Sequence, residues 1–170
     1  MPLPIAFALA ACFAAVYGDV RDRRIPNWLT GSLAVAAVIV HGFSGIRSAA
    51  ISLAVMTVLT LLGTLVHSRG GIGGGDVKLG IAASGMLSYP LCVPFLLYTM
   101  VGGGVLALAL ILVRGNARNA FSRAVLLTIG GPPAAGSGKT QTMPYAIAFA
   151  FGAVLVALSQ SVAPFLRIML

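Results

Sequence analysis

Gly70-Gly71-Ile72-Gly73-Gly74-Gly75-Asp76-Val77-Lys78-Leu79 interrupts an otherwise apolar chain. Five of its first six residues are glycine, and it carries one of only three acidic residues in 170. The other two, Asp19 and Asp22, share a second polar island, Gly18-Asp19-Val20-Arg21-Asp22-Arg23-Arg24-Ile25-Pro26-Asn27. Around these islands the chain is a series of hydrophobic runs. Hydrophobic residues make up 59% of the sequence and charged residues 8%. A soluble domain carries about a quarter charged residues, so the composition is that of an all-α, polytopic membrane protein.

Crossing a hydrocarbon core of about 30 Å takes about 20 helical residues. The runs predict segments over 4–18, 28–43, 48–67 and 143–163, with Asn27 as N-cap of the second and Trp28 at the interface. Residues 77–113 are too long for one pass and tight for two. The best turn is Ser88-Tyr89-Pro90, because Pro90 cannot continue the helical hydrogen-bond ladder. The fourth segment is then short, rising about 16 Å. Either it continues past Pro90 with a kink, or it begins inside the membrane and carries Asp76 down with it.

Charge supports two passes here and six transmembrane helices in all. The odd-numbered loops then hold Arg21, Arg23, Arg24, Arg69, Lys78, Arg114, Arg118, Arg123 and Lys139, against Arg47 and Arg167 on the even side. Cytoplasmic loops are enriched in Lys and Arg, so both aspartate islands are expected to face the cytoplasm and both termini the outside. Residues 1–170 are expected to form one transmembrane domain, with a short surface helix over 117–129.

Several functions are disfavoured. The net charge of +8 is spread thinly between apolar runs, so it marks topology rather than a nucleic-acid surface. Cys12 and Cys92 lie apart in apolar runs, which argues against a zinc or redox motif. Leu9-Ala10-Ala11-Cys12 imitates a lipoprotein box, but no Lys or Arg precedes it. Gly131-Pro132-Pro133-Ala134-Ala135-Gly136-Ser137-Gly138-Lys139-Thr140 ends like a nucleotide-binding loop. It has Pro133 where the pattern needs glycine, and no strand precedes it. No nucleotide, metal or cofactor is expected. His41 and His67 end apolar runs and read as interfacial residues.

The carboxylates remain. Acidic groups near a membrane are costly and usually functional. Asp22 reads as the partner of neighbouring arginines, whereas Asp19 closes the first apolar run. Two carboxyls brought together share one proton, because both cannot ionise easily. The ionised one can take a proton from water while the other donates to a carbonyl, with no metal and no side-chain nucleophile. The glycines before Asp76 permit close backbone approach and unusual dihedral angles.

Gly73-Gly74-Gly75-Asp76 fits the GxGD signature of membrane aspartyl proteases. Together with Val77-Lys78-Leu79, the upstream Asp19 and Arg24-Ile25-Pro26-Asn27, it resembles the type IV prepilin peptidases, in particular the short form serving tight-adherence (Flp) pili. Met143-Pro144-Tyr145-Ala146-Ile147-Ala148, with Gly152, resembles that family's last helix. The resemblance implies that Asp19 and Asp76 are catalytic, with Gly73, Gly75, Lys78, Ile25, Pro26 and Asn27 as supporting motif residues. It also implies cleavage of basic leader peptides from prepilins or pseudopilins at the cytoplasmic face of the bacterial inner membrane. Larger members carry a cysteine-rich domain and methylate the new N-terminus; this sequence shows no such cysteine cluster, so peptidase activity alone is expected. The alternative is a non-enzymatic transporter or pilus-assembly subunit using the aspartates as proton or cation sites. A transporter often shows paired broken helices, and this sequence has a single glycine-rich break.

Overall fold

The computed structural model describes residues 3–22, 24–68, 73–114 and 145–169. They form six helices and no strand: α1 (Leu3–Asp22), α2 (Asn27–Phe43), α3 (Ile46–Ser68), α4 (Gly74–Leu87), α5 (Cys92–Arg114) and α6 (Tyr145–Met169). Helix α1, helix α3 and residues Cys92–Ala109 of α5 are long and apolar enough to cross a membrane, while α2 and Tyr145–Ser161 are shorter apolar helices. The chain is a polytopic, all-helical membrane protein.

Helix α4 is the axis of the bundle. It packs against α1, α2, α3, α5 and α6, and Leu79, Gly80 and Ala82 to Leu87 are all buried. Lipid tails are as apolar as leucine, so helices in a membrane associate chiefly by close packing of small residues. Gly80, Ala82, Ala83, Ser84 and Gly85 supply that surface. A Cβ on Gly85 would collide with the Met56 side chain of α3. Helix α3 is the opposite case. Ser52 is its one buried residue, and Leu61, Leu62 and Leu65 lie on the outside as a lipid-facing surface would. Helix α6 is seated on α5 at Gly152, where a Cβ would stand 3.0 Å from the Phe95 carbonyl oxygen and 3.1 Å from the Thr99 nitrogen.

Three boundaries differ from the sequence reading. Helix α1 continues one turn beyond Gly18, so Asp19 lies within the helix rather than closing it. An i, i+4 bond from Arg21 to the Tyr17 hydroxyl (3.0 Å) extends that turn, and a cation there suits a helix C-terminus. The N-cap of α2 is Pro26, not Asn27. Asn27 is the first helical residue, which leaves its side chain available to α4. Helix α4 begins at Gly74 rather than at Val77, while its stop at Leu87 is where the turn at Ser88-Tyr89-Pro90 was expected, without a kinked continuation. Ser88 takes a φ of 54°, α5 opens at Cys92, and Pro94 is accommodated in its first turn. The expected surface helix over 117–129 and the nucleotide-loop-like stretch 131–140 lie outside the described residues.

Candidate active site

The chain turns five helix ends towards one end of the bundle: the close of α1 and α3 and the opening of α2, α4 and α6. Three contacts fix that cluster. Gly75 approaches Ile25, where a Cβ would come 3.3 Å from the Ile25 Cβ. The Lys78 ammonium donates to the Asn27 side-chain oxygen at 2.9 Å. Gly74 faces the His67 ring, with a Cβ position 3.4 Å from its Cε1. Pro26 in turn rests against Gly18, its Cδ 3.4 Å from a Cβ built there. The two polar islands, far apart in the sequence, are therefore one structure.

Asp76 sits in the first turn of α4. That helix rises about 20 Å, too little to cross the core, and Asp76 is at its open end. Gly73 precedes it as N-cap in an extended conformation. A Cβ on Gly73 would stand 2.7 Å from Asp76 Oδ2, so the carboxyl leans back over the space a side chain would fill. Burial, and then the nearby charge of Asp19, push the Asp76 carboxyl up to about 6. The second cause places the two carboxyls within electrostatic reach of each other.

Asp19 reaches the same space from α1. Its carboxyl accepts a hydrogen bond from the Ala146 backbone N–H in the first turn of α6. Its Oδ2 is buried and has no hydrogen-bond partner among the described residues. Buried carboxylate oxygens are normally satisfied, so this unpartnered acceptor stands out among the described residues. Tyr145, half-buried beside Ala146, is near enough to Asp76 to feel its charge.

The structure thus brings together Asp19, Asp76, Gly73, Gly75, Lys78, Ile25, Pro26 and Asn27. Asp22 is exposed at the end of α1. Of the arginines expected to pair with Asp22, Arg21 bonds Tyr17, and Arg23 lies outside the described residues. Both cysteines are buried. Among the described residues no three His, Cys, Asp or Glu side chains gather as metal ligands. What the sequence reading missed is the opening of α6, where Ala146 and Tyr145 meet the two carboxyls. Their signal was the resemblance of Met143-Pro144-Tyr145-Ala146-Ile147-Ala148 to the family's last helix, which states nothing about contacts.

His41 also departs from expectation. It is buried, with Nδ1 2.9 Å from Ser48 Oγ and Nε2 3.0 Å from the Met86 carbonyl oxygen. It is a core residue at the opposite end of α4, not an interfacial one.

Fold and site together define a helical membrane protein with two coupled carboxyls at one end of its bundle. The model of the type IV leader peptidase family matches residues 6–108, and the chain belongs to that family, which is one of proteases. The match takes in both aspartates and ends within α5. Neither the curated proteins nor the solved structures contain a match to this chain.

Proposed function

We propose that the protein is an intramembrane aspartyl endopeptidase that removes the leader peptide from type IV prepilins or pseudopilins, those of Flp-type pili in particular. Asp19 and Asp76 would activate one water. The observation carrying this reading is that contacts between the two polar islands bring the ends of α1 and α4, with Asp19 and Asp76, to one end of the bundle, where Asp19 Oδ2 has no partner among the described residues. The pair holds a single proton at working pH. Its ionised member takes a proton from water as the water oxygen bonds to the scissile carbonyl carbon. Its protonated member gives a proton to the carbonyl oxygen, forming a neutral diol. Return of a proton to the amide nitrogen lets the C–N bond break, and the pair ends as it began. Gly73, Gly75 and Ile25 hold Asp76 at this depth, and the Lys78–Asn27 bond ties α4 to the α1–α2 connection.

The excess of Lys and Arg on the same side as the aspartates supports a site facing the cytoplasm of a bacterial inner membrane, with residues 1–170 as one peptidase domain surrounded by lipid. A prepilin leader ends where an apolar helix begins, so a site at the rim of the bundle suits such a substrate. No nucleotide, nucleic acid or metal has a part in this chemistry.

The test is cleavage of a prepilin by the purified protein in lipid vesicles, followed by the shift of the precursor on a gel. Asp19→Asn and Asp76→Asn should each abolish cleavage while the protein stays inserted and folded. The double variant should be no worse than either single, since the two act as one unit. Chelators, serine reagents and thiol reagents should leave the wild type active. Full processing by Asp76→Asn would end the protease reading and favour a non-enzymatic role for the pair.

A further inference from the structure

Helix α6 opens against both carboxyls, and its register on α4 is set one turn deeper. Phe149 packs on Gly80, where a Cβ would come 3.1 Å from ring atoms Cε1 and Cζ. Gly80 follows Asp76 by four residues, and Phe149 follows Tyr145 by four. One helical turn is 3.6 residues, so two helices running in the same direction and touching at 80 and 149 also face each other at 76 and 145. The Ala146 amide on Asp19 fixes the same turn of α6 from the α1 side. Tyr145 is half-buried in this corner, within reach of the Asp76 charge, and no hydrogen bond of its hydroxyl is formed with the described residues. A phenol keeps its proton at neutral pH and is both donor and acceptor. The register set by Phe149 on Gly80 and by Ala146 on Asp19 places Tyr145 at the same end of the bundle as the two carboxyls.

We infer that Tyr145 is a third catalytic residue of the site, its hydroxyl donating a hydrogen bond to the scissile carbonyl oxygen as that oxygen takes up negative charge. The inference rests on the peptidase reading above and deepens it. The phenol keeps its proton throughout; the protons that move are those of the water and the carboxyl pair. Its contribution is the placement of one fixed donor where charge develops, an interaction stronger in the transition state than in the bound substrate.

Removing one such donor typically costs about 10² to 10³ in kcat. Tyr145→Phe keeps the ring and its packing, and should lower kcat about 100-fold with KM little changed. A peptide analogue with a secondary alcohol at the scissile position should bind this variant more weakly than wild type. Binding of uncleaved prepilin to Asp76→Asn should not change when Tyr145→Phe is added. Ile147→Ala, on the exposed side of the same turn, should cleave as wild type does. A kcat for Tyr145→Phe within about threefold of wild type would overturn the inference. With Asp76→Asn inactive in the same assay, the peptidase reading would still stand; an active Asp76→Asn would remove that reading instead.

Should Tyr145→Phe fail to fold, 3,5-difluorotyrosine placed at position 145 decides the matter. It preserves the ring, while its more acidic phenol loses the donor proton at lower pH. Its activity should match wild type at acid pH and fall earlier as the pH rises. An alkaline limb identical to that of wild type would overturn the donor role.

Discussion

The two ends of α4 are built on opposite principles. A helix leaves its last four carbonyls without intrahelical partners, and at the C-terminal end three of them are satisfied. Ser84 O accepts from Ser88 N at 2.8 Å, Gly85 O from Ser52 Oγ at 2.8 Å, and Met86 O from His41 Nε2 at 3.0 Å. A carbonyl only accepts, so Nε2 carries the proton in this contact. In the neutral ring Nδ1 then accepts from the Ser48 hydroxyl. At the N-terminal end the cap is Gly73, which has no side chain to offer, and a carboxyl crowded by burial and by another carboxyl stands in its place. Asp19 Oδ2 has no partner there among the described residues. Polar groups at the closed end hold helices together. Ser84 Oγ near the closed end has no partner among the described residues either; what distinguishes the open end is that the unpaired atom belongs to a carboxyl beside a second carboxyl.

The comparison is tested most severely at Gly73. Its φ is −64°, so alanine fits the backbone there, and the one atom a new Cβ would strike is Asp76 Oδ2 at 2.7 Å. The end of a side chain can move away cheaply, so the fold should not suffer. The carboxyl, however, would leave its place opposite Asp19, and displacement by about 1 Å can cost about 100-fold in rate. Gly73→Ala should therefore lose about 100-fold in cleavage with an unchanged melting temperature. Gly31→Ala, whose Cβ would meet nothing within 4 Å, should change neither. A fully active Gly73→Ala would show that the close approach at the open end has no bearing on the chemistry.

The closed end should give the reverse dissociation. His41→Ala leaves the Met86 carbonyl and the Ser48 hydroxyl without their partner in a buried site. The cost should be about 1–2 kcal/mol, given the modest net value of such bonds in membranes. Thermal unfolding in detergent micelles should register that loss, while kcat on prepilin stays within about twofold of wild type. If His41→Ala lost cleavage without losing stability, the two ends would not be separable in function.

How far the sequence led differs between these ends. Asp19 and Asp76 were legible because charge is so scarce in this chain that each carboxylate stands out, and Ile25-Pro26-Asn27 because it resembles a motif of the family. Their meeting was expected from motif order, and α1, α2 and α4 bring them together. The contacts of His41 and Ser52 were not legible. A lone histidine at the end of an apolar run has no periodicity that shows whether it faces lipid headgroups or a carbonyl 45 residues away. The same holds for Tyr145 and Ala146, whose contacts depend on the register of α6 against α4 and α1. Helix limits failed where local bonds override hydropathy: Arg21 with Tyr17 lengthened α1, and Pro26 displaced Asn27 as the cap of α2.

The smallest expected effect is a titration that reads the open end directly. The Asp76 carboxyl is lifted from 3.8 to about 6 by burial first and the Asp19 charge second. The folded protein therefore binds this proton more tightly than the unfolded chain does. That contribution to stability is complete below about pH 4 and is lost as the pH rises through about 6. Asn in place of Asp76 cannot ionise, so Asp76→Asn should gain in melting temperature over wild type as the pH goes from about 4.5 to about 7.5. The gain should amount to a few degrees, because the carboxyl is only partly buried and water screens it. In the Asp19→Asn background the midpoint of that gain should move to lower pH, since the second cause is gone. It should stay above 3.8, because burial, the larger cause, remains. Asp22→Asn, at an exposed position, should leave the midpoint where it is in wild type. A difference between Asp76→Asn and wild type that does not vary with pH over this range would show an ordinary, solvated carboxylate. The two ends of α4 would then differ in geometry but not in electrostatics.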